Sequence, residues 1–169
     1  DTVYVAQQSF ESPVDERLYG TGCFQDGALD IRALPRRLTQ VNSQISLPFV
    51  LSSRGYGMLW HNRGMSELNP PGQRAELVQQ STGGAQIENV TTTSGNAEVV
   101  RRMARFVGKL EIDRPGRHAF MLDVGRKMGS RYRVDIDGKT CVDYTNLWLP
   151  PTMSFFAELT PGTHEVVVE

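Results

Sequence analysis

Side chains that could hold a metal ion are sparse and scattered in this sequence of 169 residues. The histidines are His61, His118 and His164. None of them has a second potential ligand at the short intervals that metal sites use. The order Asp135-x-Asp137-Gly138 is similar to the start of a calcium loop, but the other ligands and the terminal Glu are missing, so a hairpin turn explains it better. We therefore expect no metal site.

A nucleophile and a cofactor site are equally hard to find. Ser52 and Ser53 lie outside the glycine-flanked turn that exposes a nucleophilic serine, and no base is placed for them. Cys23 and Cys141 are the only cysteines, and we expect two free thiols because each falls in a different predicted domain. The sequence predicts no catalytic residue and no cofactor.

Composition also excludes several kinds of partner. Eighteen basic residues nearly balance nineteen acidic ones, and the pairs Arg36-Arg37 and Arg101-Arg102 are too short to form a basic stripe. No apolar run approaches the thickness of a bilayer. We expect neither nucleic acid nor a membrane as a partner. The compartment stays open, with a periplasmic or extracellular one favoured.

The elements that must position any site are β-strands, since period-two alternation recurs while helical periodicity is hard to find. In the first part of the chain the apolar residues Ile45, Leu47, Phe49 and Leu51 alternate with polar residues and proline. This pattern predicts a half-buried strand that turns over residues 52–55 and returns over 56–61.

A change in composition divides the chain. From residue 69 to residue 96 the sequence becomes rich in Pro, Gly, Ser, Thr and Gln and contains few apolar residues. Such a segment is typical of a domain boundary. We predict one domain over residues 1–75, a linker over 76–98 and a second domain over 99–169.

The second part of the chain shows the clearest alternation and predicts a meander. Strands are predicted over 104–112, 120–124, 131–136, 142–144, 153–159 and a last segment through Val168. The turns lie over 113–117, 137–138 and 160–162. We expect a small antiparallel β-sandwich or barrel here, and an all-β fold for the whole chain.

Several motifs in the first 68 residues occur in the same order in one enzyme family. They are Phe10-Glu11-Ser12, Asp15-Glu16-Arg17-Leu18-Tyr19-Gly20-Thr21-Gly22, Gln40-Val41-Asn42, and Pro48 followed by Ser52-Ser53-Arg54-Gly55-Tyr56-Gly57-Met58-Leu59-Trp60. The chain here resembles the pre-barrel domain of glycoside hydrolase family 31, the family of α-glucosidases and α-xylosidases. The resemblance implies that residues 1–75 are part of a galactose-mutarotase-like β-sandwich and that Asp1 begins inside it.

The second part is similar to the protective-antigen-type module, or PA-fourteen domain, which some family members carry as an insertion. The matching residues are Gly108-Lys109-Leu110, Phe120, Ile136-Asp137-Gly138-Lys139, Leu159 and His164. The module is usually longer and opens with an aromatic-rich strand that is missing here. The resemblance therefore implies a truncated or divergent version.

The resemblance also implies a function. Retaining hydrolysis needs two carboxylates about 5–5.5 Å apart, and in family 31 both lie on a catalytic barrel. The family's nucleophile motif places Trp two residues before Asp, and neither Trp60 nor Trp148 is followed in this way. We expect a non-catalytic segment that supports the missing barrel and helps form the rim that binds an oligosaccharide substrate.

Two sets of residues are candidates for that rim. Phe24, Gln25 and Asp26 belong to a loop that in the family reaches over the barrel mouth, and a solvated turn is the alternative. Tyr144 and Trp148 lie in Pro-rich surroundings where rings could stack on sugars. Packing of both rings inside the sandwich is the favoured alternative. We predict Phe24, Gln25, Asp26 and Trp148 as substrate-binding residues.

Two other functions remain open, namely a stand-alone glycan-binding module and a purely structural spacer. A downstream reading frame that encodes a barrel would identify part of an enzyme, and a glycan array would separate the other two. If the first sandwich is incomplete, apolar surface around residues 45–51 is exposed, and self-association through it is expected.

Overall fold

The fold is described by a computed structural model that covers residues 4–62, 64–125, 129–146 and 148–169. The strands are β1 (Leu18–Cys23), β2 (Arg36–Leu38), β3 (Ile45–Ser52), β4 (Gly57–Leu59), β5 (Ser66–Leu68), β6 (Leu77–Thr82), β7 (Gln86–Thr92), β8 (Gly95–Arg101), β9 (Ala104–Ile112), β10 (Gly116–Asp123), β11 (Arg131–Ile136), β12 (Lys139–Thr145), β13 (Thr152–Leu159) and β14 (Gly162–Val168). Every regular element in the described ranges is a strand, which confirms the predicted all-β fold. Within those ranges no helix is long and apolar enough to cross a membrane.

The second half of the chain forms a sandwich of two antiparallel sheets. The larger sheet has the strand order β12-β11-β14-β9-β6, and the smaller one pairs β10 with β13. The main core consists of Tyr132, Val134, Ile136, Val142, Leu149, Met153, Val166 and Val168. Alternation accounts for this selection, because in β11 every second residue is buried and the residues between them are not.

The strand order differs from the predicted meander. β9 pairs with β14 and β6 rather than with β10, and β10 pairs with β13. The meander is therefore wrong, although its strands lie near the predicted positions; β10 begins at Gly116, inside the predicted turn over 113–117. Alternation identifies the side chains that share a face, but it does not identify the neighbouring strand.

The small β10-β13 sheet makes apolar contacts on both of its faces. Phe120 and Phe155 lie opposite each other, with ring centroids 5.3 Å apart, and pack against the main core. The adjacent pair, Ala119 and Phe156, packs against a second core. Because successive side chains of a strand point to opposite faces, the same two strands serve both cores.

The second core belongs to the first part of the chain. Its buried residues are Ile31, Leu34 and Val50. The sheets β1-β3-β4 and β2-β5 lie in this part. Polar contacts join it to the small sheet, since Arg37 of β2 pairs with Glu67 at 2.8 Å and with Asp123 of β10 at 2.6 Å. Both parts of the chain therefore contact the β10-β13 sheet.

The segment 76–98, predicted as a linker, contains regular strands. β6 pairs with β9 at the edge of the five-stranded sheet. β7 and β8 pair with each other along their length and form a largely exposed hairpin. An exposed ribbon meets water on both faces, so its composition is as polar as that of a linker. The division into two domains stays a prediction.

One side of β3 is both apolar and exposed. The side chains of Ile45, Leu47, Phe49 and Leu51 are 41% to 54% exposed. Leu59 of β4, opposite Phe49, is 63% exposed. We call these five residues the β3 face. The strand is half-buried as predicted, but its apolar side is the exposed one.

Candidate substrate-rim site

A bulge in β1 directs the chain into the candidate loop. The register of β1 against β3 shifts between Gly20 and Gly22, and these residues have φ angles of 112° and 101°. Thr21 between them has φ of 66°, also in the left-handed region. A Cβ at Gly20 would lie 2.6 Å from the carbonyl oxygen of Phe49. A side chain at Gly20 is therefore excluded by both conformation and space, and the Gly-x-Gly pattern follows from the bulge.

The loop over residues 24–27 is held by a buried ion pair between Asp26 and Arg36, whose side chains are 4% and 3% exposed. Arg36 Nε and Nη2 donate to Asp26 Oδ2 and Oδ1 at 2.8 and 2.6 Å. The backbone N–H of Ala28 also donates to Asp26 Oδ1, at 3.1 Å. The guanidinium lies over the ring of Phe24, with Cζ 4.5 Å from the centroid. Both carboxylate oxygens are thus satisfied within the protein.

The loop meets the second half of the chain at Ser43. Gln25 Nε2 donates to the carbonyl oxygen of Ser43 at 2.8 Å, and Ser43 Oγ donates to the carbonyl oxygen of Trp148. A Cβ added at Gly27 would lie 3.6 Å from the hydroxyl oxygen of Tyr144. Two candidate sets from distant parts of the sequence therefore adjoin each other. We call residues 24–27 with Ser43, Tyr144 and Trp148 the rim.

Exposure differs among the rim residues. Trp148 is 39% exposed, whereas Tyr144 is partly buried and packs against the main core. The alternative of packing inside the sandwich therefore describes Tyr144 and does not describe Trp148. Asp26 has little surface, so its contact with sugar hydroxyls stays a prediction. The surface offers an indole, a half-buried phenyl ring and an amide, which can bind a ligand and do not form an acid-base pair.

Glu16 is a buried carboxylate that sequence reasoning missed, and it links three of the motifs in the first part. Glu16 is 2% exposed and accepts hydrogen bonds from Ser12 Oγ at 2.7 Å, from Tyr56 Oη at 2.6 Å and from Ser52 Oγ. These bonds, led by that of Ser52, lower the pKa of Glu16 to about 2. The signal in the sequence was a Glu in the motif over 15–22 that occurs together with Ser52 and Tyr56 in the motif over 52–60.

The turn after β11 is closed by a histidine. His164 Nδ1 lies 2.5 Å from Asp137 Oδ2, and His164 Nε2 lies 2.8 Å from the carbonyl oxygen of Thr160. The bond to Asp137 raises the pKa of His164. Asp137 has φ of 49° and also accepts the N–H of Glu165 at 2.9 Å. The Asp137-Gly138 pattern is therefore a hairpin turn, as predicted.

Metal ligands do not cluster in the described part of the chain. No group of three or more His, Cys, Asp or Glu side chains lies close enough there to share an ion. Both cysteines are free, and burial raises the pKa of the Cys141 thiol. Neither thiol belongs to the rim.

Sequence comparison finds relatives among carbohydrate-active enzymes, while no family model matches the chain. It is 36% identical over 101 residues to an uncharacterized family 31 glucosidase of Pseudescherichia vulneris, a match that covers 59% of this chain and 18% of that protein. It is 35% identical over 77 residues to an alpha-xylosidase of Saccharolobus solfataricus, covering 40% of this chain and 10% of that one. The chain thus spans less than a fifth of the length of these relatives.

Structure comparison agrees with the sequence relatives. The chain superposes on a GH31 alpha-xylosidase from Xanthomonas citri with a TM-score of 0.57 and 22% identity, covering 94% of this chain and 21% of that one. At that identity the match establishes a shared fold. The relatives found by sequence are a family 31 glucosidase and an alpha-xylosidase, and the solved structure that shares the fold is a GH31 alpha-xylosidase.

Proposed function

We propose that this chain is a non-catalytic segment of a retaining α-glycosidase of the α-glucosidase or α-xylosidase type. In this proposal it supports the catalytic barrel and helps form the rim that receives an oligosaccharide. The names of the relatives support the substrate class, and their much greater length supports a parent protein that carries the barrel.

The β3 face is the observation that carries the proposal. Four alternate side chains of one strand and a fifth on its neighbour are exposed although they are apolar. Contiguous apolar surface of this kind marks an interaction site. Interfaces between domains of one chain bury about 600–1,500 Å² in total, a size to which such a face can contribute. We propose the barrel of the parent protein as its partner.

The rim supports the second half of the proposal. Trp148 presents an exposed ring beside a polar loop, which is the combination that stacks on a sugar face and bonds its hydroxyls. In this proposal Trp148, Phe24 and Gln25 contact a sugar distal to the scissile bond, and Asp26 positions the loop. A PA-fourteen origin for residues 99–169 is part of the same proposal, supported by the motifs and by the sandwich of two antiparallel sheets.

The proposal is tested by binding in trans. The probe is a family 31 α-xylosidase from which the amino-terminal β-domain has been deleted. We expect the chain to bind this polypeptide in sedimentation velocity, and Phe49→Asp to abolish the complex because a charge would be buried. Val78→Asp is the matched control, since Val78 is 69% exposed on β6, outside the β3 face. Equal binding by both variants contradicts the proposed docking face.

A stand-alone glycan-binding module is the second candidate, favoured by the exposure of Trp148 alone. It predicts sugar binding by the isolated chain and no complex with a barrel. A structural spacer predicts neither. A glycan array on the chain and on Trp148→Ala, read beside the sedimentation experiment, separates these candidates.

A further inference from the structure

Arg36 is a buried cation beside the rim, with 3% of its side chain exposed. It is the most buried cation among the ion pairs of the described residues. Besides its two bonds to Asp26, its Nη1 donates to the carbonyl oxygen of Gly20 at 3.1 Å and to Thr21 Oγ1 at 2.6 Å. Its Cζ also faces the ring of Phe24. A single guanidinium therefore contacts the bulge of β1 on one side and the loop on the other.

These contacts need the shape of a guanidinium. Its donors form a rigid planar fork, which matches a carboxylate and leaves further donors for the bulge, whereas an ammonium is a compact point charge. The bulge is itself fixed against β3, because Gly20 pairs with Val50 and leaves no room for a Cβ beside the carbonyl oxygen of Phe49. Arg36 therefore fixes the loop relative to the β1-β3 sheet, because it bonds to both.

We infer that Arg36 is the positioning residue of the rim, an inference that rests on the rim role proposed above. It holds Asp26 and Phe24, so that Gln25 reaches Ser43 and Ser43 in turn reaches the backbone of Trp148. We call the contacts of Arg36 with Asp26, Phe24 and the bulge the clamp. Through the clamp Asp26 positions the loop, a role that does not require Asp26 itself to contact a ligand. Arg36 itself touches no ligand.

Two variants test the clamp. Arg36→Lys keeps the charge opposite Asp26 and loses the fork. The double variant Arg36→Met with Asp26→Leu removes both charges together, and exchanging a buried ion pair for apolar residues of similar volume is often neutral for stability. Arg101→Met is the matched control, because Arg101 pairs with Glu88 within the exposed β7-β8 hairpin.

The first readout is the indole N–H resonance of Trp148 in the ligand-free chain, assigned with Trp148→Phe. We expect both clamp variants to shift this resonance, the double variant at an unchanged Tm, while Arg101→Met leaves it in place. A merely structural role for Arg36 would change Tm and not the resonance. An unshifted resonance in both folded variants, or in Arg36→Lys alone if the double variant does not fold, overturns the inference.

The second readout is the Kd for maltotriose and for isoprimeverose, an α-xylosyl glucose. We expect the clamp variants to raise the Kd about tenfold, which corresponds to about 1.4 kcal/mol. If the wild-type chain binds a sugar and the clamp variants bind it equally well, the inference is wrong. If the wild-type chain binds neither sugar, the sugar-binding part of the proposed function fails, and the Trp148 resonance still decides the role of Arg36.

Discussion

Replacing Leu34 by Ala tests whether the two halves of the chain unfold together. Leu34 is fully buried in the second core, against which Phe156 of β13 packs. The other face of β13 packs on the main core through Phe155. Removing a buried Leu side chain costs roughly 2–5 kcal/mol, since both transfer free energy and packing are lost. We expect the free energy of unfolding to fall by this full amount in both halves of the chain.

The assay is urea unfolding, monitored by the amide hydrogen exchange of β14. This strand belongs to the five-stranded sheet and contributes no residue to the second core. We expect one transition and an equal loss of protection in β14, since Ser154 Oγ of β13 also donates to the buried carbonyl oxygen of Pro35. Ile87→Ala on the exposed hairpin is the control, with an expected change within about 0.5 kcal/mol. Two transitions, with β14 unaffected by Leu34→Ala, would refute the coupling.

Three further predictions concern the carboxylate, the indole and the apolar face. The pKa of Glu16 is about 2 instead of 4.5, so its bonds stabilise the fold above pH 4.5 and are lost as the pH falls toward 2. Glu16→Gln should remove this dependence of the free energy of unfolding on pH, as measured by urea titrations between about pH 2 and pH 4.5. An unchanged dependence in the variant would contradict the lowered pKa of Glu16. In the parent enzyme, Trp148→Ala should raise KM for oligosaccharides about two- to tenfold, as expected for an aromatic contact worth about 0.5–1.5 kcal/mol, and leave a short aryl glycoside unaffected. Equal losses on both substrates would contradict contact of this ring with a distal sugar. The isolated chain should self-associate through the β3 face in light scattering, and Leu47→Asp should make it monomeric. A wild-type chain that stays monomeric at high concentration argues against this face as an interface.

The strands of the second half were predictable because their alternation is strict. In β11, Tyr132, Val134 and Ile136 are buried, and the turn at Asp137-Gly138 follows at the predicted place. The alternation could not reveal that Ala119 and Phe156 serve a second core, because a small and a large residue on the opposite face give no periodic signal.

The role of the candidate residues in binding stays a prediction, and the contacts between them could not be predicted from the sequence. The sequence identified the loop over 24–27 and Trp148 as separate sets, and their connection through Ser43 depends on long-range folding. Arg36 entered the sequence analysis only as half of a short basic pair. Its burial opposite Asp26 arises from a bulge in another strand, and no local pattern encodes that partner.

Turnover in trans tests the central claim most directly. An aryl α-xyloside is offered to the chain alone, to a family 31 α-xylosidase lacking its amino-terminal β-domain, and to a mixture of the two. We predict no turnover by the chain alone and a gain in activity on mixing that Phe49→Asp abolishes. Turnover that copurifies with the chain alone would contradict the claim that this segment is non-catalytic, and a mixture no more active than the truncated enzyme would contradict its supporting role.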